Sequence, residues 1–159
     1  MTMLAARVRK AGKADIDRII DIERSWRHLS HWSIDSYYRL ISDDATTATF
    51  VAEREDDLGR THIAGFVIFN IVAGVAEIYN IAVEASSARQ GIGGRLMRAT
   101  IEECRRRQAK TVMLEVRKSN QPAITFYYSF NFHVVGERKS YYSNPVEDAF
   151  VMEVALDQA

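Results

Sequence analysis

Residues 89–96 read RQGIGGRL, with Gly91, Gly93 and Gly94 close together and Arg89 and Arg95 on either side. A helix that starts here has bare backbone N–H groups and partial positive charge at its first turn. Glycines keep side chains away from those groups, so the segment suits a phosphate or pyrophosphate. A tight strand-to-helix turn without a ligand is the other reading of the same residues. The run lacks the Gly-Lys-Ser/Thr ending of a P-loop, and Leu96 stands where a dinucleotide fingerprint needs glycine or alanine. Further along, Glu115 falls in the apolar alternation TVMLEVR of residues 111–117. A carboxylate there needs a partner, such as Arg117 or a neighbouring strand, or else a task. Asn120 suits a helix N-cap with Pro122 in the first turn, and Tyr127 follows Ala123 by one helical turn. Taken alone, Tyr127 reads as a core aromatic.

Periodicity and turn residues locate the elements that must hold these groups. A short strand fits residues 6–11, ARVRKA. A helix fits within 13–27, where Ile16, Ile19, Ile20, Glu23 and Trp26 show helical spacing and Asp15 and Asp17 suit its N-terminus. A second short helix is expected over 34–41, after Ser33 as N-cap. Strands are expected at 47–55 and 61–72, joined by the turn DDLG, and at 74–84 after the turn Ala73-Gly74. Their tight connections imply an antiparallel meander.

The next helix, expected over 94–108, carries a stripe of Met97, Ile101, Cys104 and Gln108, with Leu96 and Thr100 beside it. Arg105, Arg106, Arg107 and Lys110 gather at its C-terminal end, where the dipole favours cations and solvent surrounds them. The strand 111–117 follows at once, so strand, helix and strand form a crossover unit. Its strands should be parallel and its connection right-handed, with ligands beyond the strands' carboxyl ends. The glycine run lies there.

Composition bounds the function. A chain of 159 residues suits a single domain, residues 1–159, with a real core. Lysine plus arginine equals aspartate plus glutamate at 21 each, which lends no support to nonspecific binding of nucleic acid or membrane. The opening MTMLAARVRK, residues 1–10, has no apolar run long enough for a signal peptide, and no segment approaches the ~18 consecutive apolar residues of a membrane span. Cys104 is the only cysteine, which excludes an internal disulfide and fits a cytoplasmic protein. Its place on the apolar stripe makes it a packing residue. His28 and His31 have no further ligand cluster beside them, so no metal is expected.

Three segments together resemble a known family. NIAVEASSARQGIGGRLM, residues 80–97, is similar to the acetyl-CoA-binding motif of the GNAT N-acetyltransferases. LEVRKSNQPAITFYYSFNF, residues 114–132, resembles the segment that follows it there. RKSYYSNPVEDAFVMEV, residues 138–154, resembles the C-terminal hairpin of the ribosomal-protein-alanine N-acetyltransferase branch, and HWS at 31–33 suits that branch too.

The resemblance implies an α/β GNAT fold, a mixed, splayed β-sheet flanked by helices. It implies acetyl-CoA as cosubstrate and no metal. The backbone of Ile81, Ala82 and Val83 would pair with the pantetheine arm and offer an N–H to the thioester oxygen. Arg89, Gln90, Gly91, Ile92, Gly93 and Gly94 would hold the pyrophosphate, and Asn120 would bind near the pantetheine. Glu115 matches the general base and Tyr127 the acid that protonates the departing thiolate. Glu77 is a second candidate base, acting through water.

The implied acceptor is the N-terminal amine of a protein, such as a ribosomal protein. Two alternatives stay open: a small amine (polyamine, amino acid or antibiotic), with Glu147 and Asp148 supplying charge, and a non-catalytic acyl-CoA sensor. The state expected is monomer or homodimer. The chain departs from the family pattern at Ala85, where many relatives have proline, and at Asn131, which replaces a glycine. Asparagine tolerates the left-handed backbone better than most residues, so that turn should survive.

Overall fold

The computed structural model describes residues 5–27, 29, 31–43 and 45–156 of the chain. Its contacts group into two compact units. One comprises Met1–Asn70 and Ile78–Glu103, the other Ile71–Glu77 and Cys104–Ala159. The strands are β1 (Arg7–Lys10), β2 (Thr47–Glu55), β3 (Thr61–Val72), β4 (Val75–Val83), β5 (Thr111–Arg117), β6 (His133–Tyr142) and β7 (Glu147–Ala155). The helices are α1 (Ile16–Arg24), α2 (Ile34–Ser42), α3 (Ile92–Arg106) and α4 (Gln121–Ser129). Hydrogen-bonded neighbours follow the order β1-β2-β3-β4-β5-β7-β6, with β4 contributing to both units.

In the first unit, β1 and β2 pair antiparallel from Arg7–Glu53 to Lys10–Phe50, and β2 pairs antiparallel with β3. The isoleucines of α1 fall at helical spacing, so Ile16, Ile19, Ile20 and Ile22 bury together against Val51, Ile63, Phe66 and Ile68. Each such burial contributes about 1.5–3 kcal/mol. The entry to α1 is fixed by Asp15, which accepts from Gly12 N–H at 2.8 Å and from two Arg9 nitrogens at 2.8 and 2.9 Å. The hydrogen bond from Arg9 holds its carboxyl below the usual range. At α2, Ser33 Oγ accepts from Ser36 N–H at 3.2 Å, the expected cap.

Gly65 lets α3 lie close to the strands. A β-carbon there would stand 2.9 Å from the Ala82 carbonyl oxygen, 3.1 Å from Leu96 Cδ1 and 3.3 Å from Ile92 Cγ2. The buried stripe of α3 is Leu96, Met97, Thr100 and Cys104. Gln108 is not part of it: the helix ends at Arg106, and Gln108 is exposed with φ 62°. Ala109 N–H bonds back to the Cys104 carbonyl at 2.8 Å, which stops the helix before another turn can form.

In the second unit, β4 and β5 run parallel, as the crossover requires, but for only three registered pairs, Val75–Thr111 to Glu77–Met113. β5 then pairs antiparallel with β7 along its whole length, and β7 with β6. Val112, Leu114 and Val116 are buried and alternate with half-buried Met113 and Glu115, as their spacing predicts. Asn120 caps α4 by accepting from Ala123 N–H at 3.3 Å. Asn131 takes the left-handed backbone expected where relatives have glycine, with φ 67°.

Candidate active site

The glycine run belongs to the first unit. After Val83, a short 3-10 turn over Ala85–Ser87 leads into it. Arg89 and Gly91 both have left-handed backbone, with φ 61° and 79°. Space around Gly91 is open, so its conformation is what calls for glycine. Arg95 N–H donates to the Gly91 carbonyl at 3.1 Å and closes the first turn of α3. Arg89, Gln90 and Gly91 are exposed, whereas Ile92 is buried and Gly93 and Gly94 are half-buried. The surface therefore presents a bare helix start with an arginine before it, the donor set an anion needs.

A polar network braces this loop in place of the proline missing at Ala85. Arg54 of β2 donates from Nη1 to Ser87 Oγ at 2.8 Å and to Gln90 Oε1 at 2.6 Å. Ser87 Oγ donates to Glu84 Oε1 at 2.6 Å, and Glu84 also pairs with Arg18 and, at 2.9 Å, with His62. Burial raises the Glu84 carboxyl, but the hydrogen bonds from Ser87 and His62 and the His62 and Arg18 charges outweigh it and leave it below the usual range. Just before the loop, Ala82 is buried and Ile81 and Val83 are half-buried on β4, and Trp26 Nε1–H donates to the Val83 carbonyl at 2.9 Å.

The second unit gathers the titratable groups. Glu115 is nearly enclosed, with 8% of its side chain exposed, and Oε1 accepts from Arg138 Nε at 3.0 Å. The ion-pair partner is thus a β6 arginine and not Arg117. The Arg117 guanidinium instead holds the β6–β7 connection: it donates to the carbonyls of Pro145 and Ser143 at 3.0 and 3.3 Å and lies 4.3 Å from the Tyr142 ring centroid. Glu77 is half-buried on β4, and its carboxyl is raised, first by burial and then by the Glu115 charge, with Arg138 opposing.

Tyr127 is buried, and that burial pushes its hydroxyl up to about 12. Its ring packs at 5.5 Å from Phe126 and 5.8 Å from Phe132. Tyr141 and Tyr142 meet edge to face at 5.0 Å. Both are raised, chiefly by burial. Tyr141 feels the charges of Glu115 and Glu77, and Tyr142 those of Tyr141, Glu115 and Tyr127. Two carboxylates, the guanidiniums of Arg138 and Arg117, and three phenols therefore share one electrostatic neighbourhood.

Glu147 and Asp148, the charges open to a small amine in the alternative reading, are both committed to the fold. Glu147 accepts from Ser119 N–H at 2.7 Å and Oγ at 2.9 Å. Asp148 accepts from Ser140 N–H at 2.8 Å and from Lys139 at 3.2 Å. It thereby holds the irregular register between Arg138 and Tyr142, where Ser140 has φ 49°. Among the described residues no group of His, Cys, Asp and Glu could hold a metal. His28 lies outside the described residues, and His31 Nε2 is 3.1 Å from the Trp26 carbonyl. Among those residues, too, no helix is long and apolar enough to cross a membrane.

Sequence reading missed Arg138, Arg54 and Ser87. Arg138 could not be found from alternation, because the irregular stretch after it breaks the strand's period before the tyrosines.

These features define an acetyltransferase of the GNAT class: the model of the acetyltransferase (GNAT) family matches residues 14–132. The chain belongs to that family, is an N-acetyltransferase, and has the fold its motifs imply. It is 35% identical over 153 residues to a Bacillus subtilis (strain 168) protein provisionally named ribosomal protein bS18-alanine N-acetyltransferase, covering 96% of this chain and 97% of that protein. It is 38% identical over 96 residues to the ribosomal protein bS18-alanine N-acetyltransferase of Escherichia coli (strain K12), covering 59% and 65% of the two chains. The crystal structure of the ribosomal-protein-S18-alanine N-acetyltransferase from Escherichia coli has a TM-score of 0.82 and 28% identity, covering 97% of this chain and 96% of that one.

Proposed function

We propose that this protein transfers the acetyl group of acetyl-CoA to the N-terminal α-amine of a protein, with ribosomal N-termini that begin with alanine as the leading acceptors. The observation that carries the reading is the likeness over 96% of the chain to a protein named for that acceptor. The loop Arg89–Gly94 takes the pyrophosphate on its bare N–H groups. The backbone of Ile81–Val83 takes the pantetheine arm, and Asn120 contributes a side-chain amide to it. Acetyl-CoA supplies the activated acyl group.

One proton leaves the acceptor's ammonium for the carboxylates, with Glu115 as the base and Glu77 as its neighbour. An α-amine with a pKa near ~8 gives up that proton readily. The freed lone pair forms the C–N bond, the C–S bond breaks, the thiolate takes the Tyr127 proton, and the second proton shed by the acylated nitrogen restores the Tyr127 hydroxyl. No covalent enzyme intermediate is needed. A small-amine acceptor finds less support, because Glu147 and Asp148 are held by Ser119, Ser140 and Lys139.

Acetylation of short peptides, polyamines and free amino acids, with products located by mass spectrometry, tests this. The expected product carries acetyl on the α-amine of alanine-starting peptides, and blocking that amine abolishes turnover even when lysines remain. A far higher kcat/KM on polyamines or lysine side chains would overturn the reading.

A further inference from the structure

Arg138 reaches Glu115 across an intervening strand. The β5–β7 and β7–β6 registers set Arg117, Ala149 and Arg138 side by side, and directly paired residues share a face. Glu115, two residues before Arg117, lies on that face as well. The residue between the two arginines is alanine, so its methyl leaves Arg138 room to cross β7 and donate to Glu115 Oε1 at 3.0 Å. The same guanidinium stands 5.9 Å from the Tyr141 ring centroid.

Glu77 is registered with Met113 and so shares the face, yet no hydrogen bond or ion pair reaches it among the described residues. The other titratable groups there are Glu153, beside Met113, and His133, beside Glu153, with Tyr141 and Tyr142 from β6. A carboxylate that feels another carboxylate's charge resists ionising, and a nearby cation favours its charged form. Burial and Glu115 raise the Glu77 carboxyl, and Arg138 is the group that works against the rise.

We propose that Arg138 is a positioning residue for acetyl transfer: it fixes the Glu115 carboxylate against the β6 hairpin strand, in place to take the acceptor's proton with Glu77 on the same face. This rests on the amine-acetylating reading above. The guanidinium touches neither substrate in this role; it acts through Glu115. Without it, Glu115 is free to turn, and the Glu77 carboxyl loses the charge that opposes its rise.

Arg138→Gln and Arg138→Lys test the assignment. In Arg138→Gln, kcat falls about tenfold while KM for acetyl-CoA stays within about twofold. The acidic limb of kcat/KM moves up by about half to one pH unit, a modest shift because Arg138 is half-exposed. Arg138→Lys keeps the charge and brings the limb back. A structural role alone would lower stability and leave the limb in place. An unmoved limb in a folded Arg138→Gln protein, or a limb that lysine does not restore, overturns the proposal. A second measurement needs no acceptor: carbon-13 NMR titration of the Glu77 carboxyl, whose midpoint rises in Arg138→Gln. A midpoint that stays put overturns the proposal whatever the acceptor proves to be. Failure of the wild-type protein to acetylate any N-terminal peptide overturns the acceptor reading instead, and the NMR titration then decides the role of Arg138.

Discussion

Arg54 Nη1 donates to Gln90 Oε1 at 2.6 Å, so a β2 arginine fixes the side chain that opens the glycine run. The same nitrogen donates to Ser87 Oγ, which in turn donates to Glu84. One cation therefore ties the loop at two points before α3 begins. Glu84 receives Arg18 and His62 from other elements of the same unit, so the loop is held from both sides.

Arg54→Met removes both ties and keeps the apolar stem. The loop is then free to sample other shapes, and binding must order it again. KM for acetyl-CoA is expected to rise about three- to tenfold with kcat little changed, the loss expected for one or two exposed charge-assisted hydrogen bonds. Steady-state kinetics at saturating acceptor checks this. A KM unchanged from wild type would mean that the glycine run holds its shape without Arg54.

Local elements were legible because their signals are local. The strands at 47–55, 61–72 and 111–117 were expected at the boundaries they have, since alternation and turn residues bracket each of them. Ser33 and Asn120 were recognisable as caps by residue type and place. Gln108 misled because helical spacing continues in the sequence while the backbone turns left-handed there. The ionic partner of Glu115 was out of reach, since Arg138 lies 23 residues away and meets it only through the register of a third strand. Arg117, the nearer choice, is drawn off by the carbonyls of Ser143 and Pro145.

Gly65 sets how close α3 can come to the strands. In Gly65→Ala the new methyl meets the Ala82 carbonyl oxygen at 2.9 Å, and a backbone oxygen cannot swing aside. Overpacking of this kind costs about 1–3 kcal/mol. The melting temperature is expected to fall by several degrees. Calorimetric affinity for acetyl-CoA should fall with it, because Ala82 belongs to the strand segment proposed for the pantetheine arm. Unchanged stability would show that the Ala82 backbone, with Leu96 and Ile92, can shift away at little cost.

Tyr127 holds its proton throughout the physiological range, because burial pushes its hydroxyl up to about 12. It is therefore a donor at neutral pH and not a base. Tyr127→Phe keeps the ring packing on Phe126 and Phe132 and removes only that donor. A drop in kcat of about ten- to a thousandfold is expected, with acetyl-CoA affinity little changed. Single-turnover kinetics isolates the chemical step. Near-normal chemistry in the variant would assign thiolate protonation to water or another group.

Glu23 gives the fold a pH dependence of its own. The side chain is wholly buried at the end of α1. Oε1 accepts from Trp32 N–H at 3.0 Å, and Oε2 accepts from the Tyr37 hydroxyl and from Asn80 Nδ2 at 3.5 Å. Trp32 in turn packs against the rings of Tyr37 and Tyr79. Burial is the largest influence on the carboxyl and pushes it up to about 7, although the Trp32 N–H and the His31 and Arg24 charges pull the other way. The folded protein thus holds a proton that the unfolded chain releases near the ordinary glutamate value of 4.5. Stability from this group is complete below that value, declines as pH rises, and is lost once pH passes the folded value. The full swing is roughly 3 kcal/mol. Asp15 and Glu84 have lowered carboxyls, so their contributions change only in more acidic solution, and the raised Glu77 carboxyl is common to the wild type and the Glu23→Gln variant and cancels between them. Glu23→Gln keeps an acceptor for Trp32 and cannot ionise, and the Tyr37 hydroxyl can turn to accept from its amide. Melting temperatures of the two proteins between pH 5 and pH 8 should therefore diverge, the wild type losing stability relative to Glu23→Gln as pH rises. Parallel curves across that window would mean that Glu23 keeps the same charge folded and unfolded, and that its partners satisfy a buried carboxylate fully.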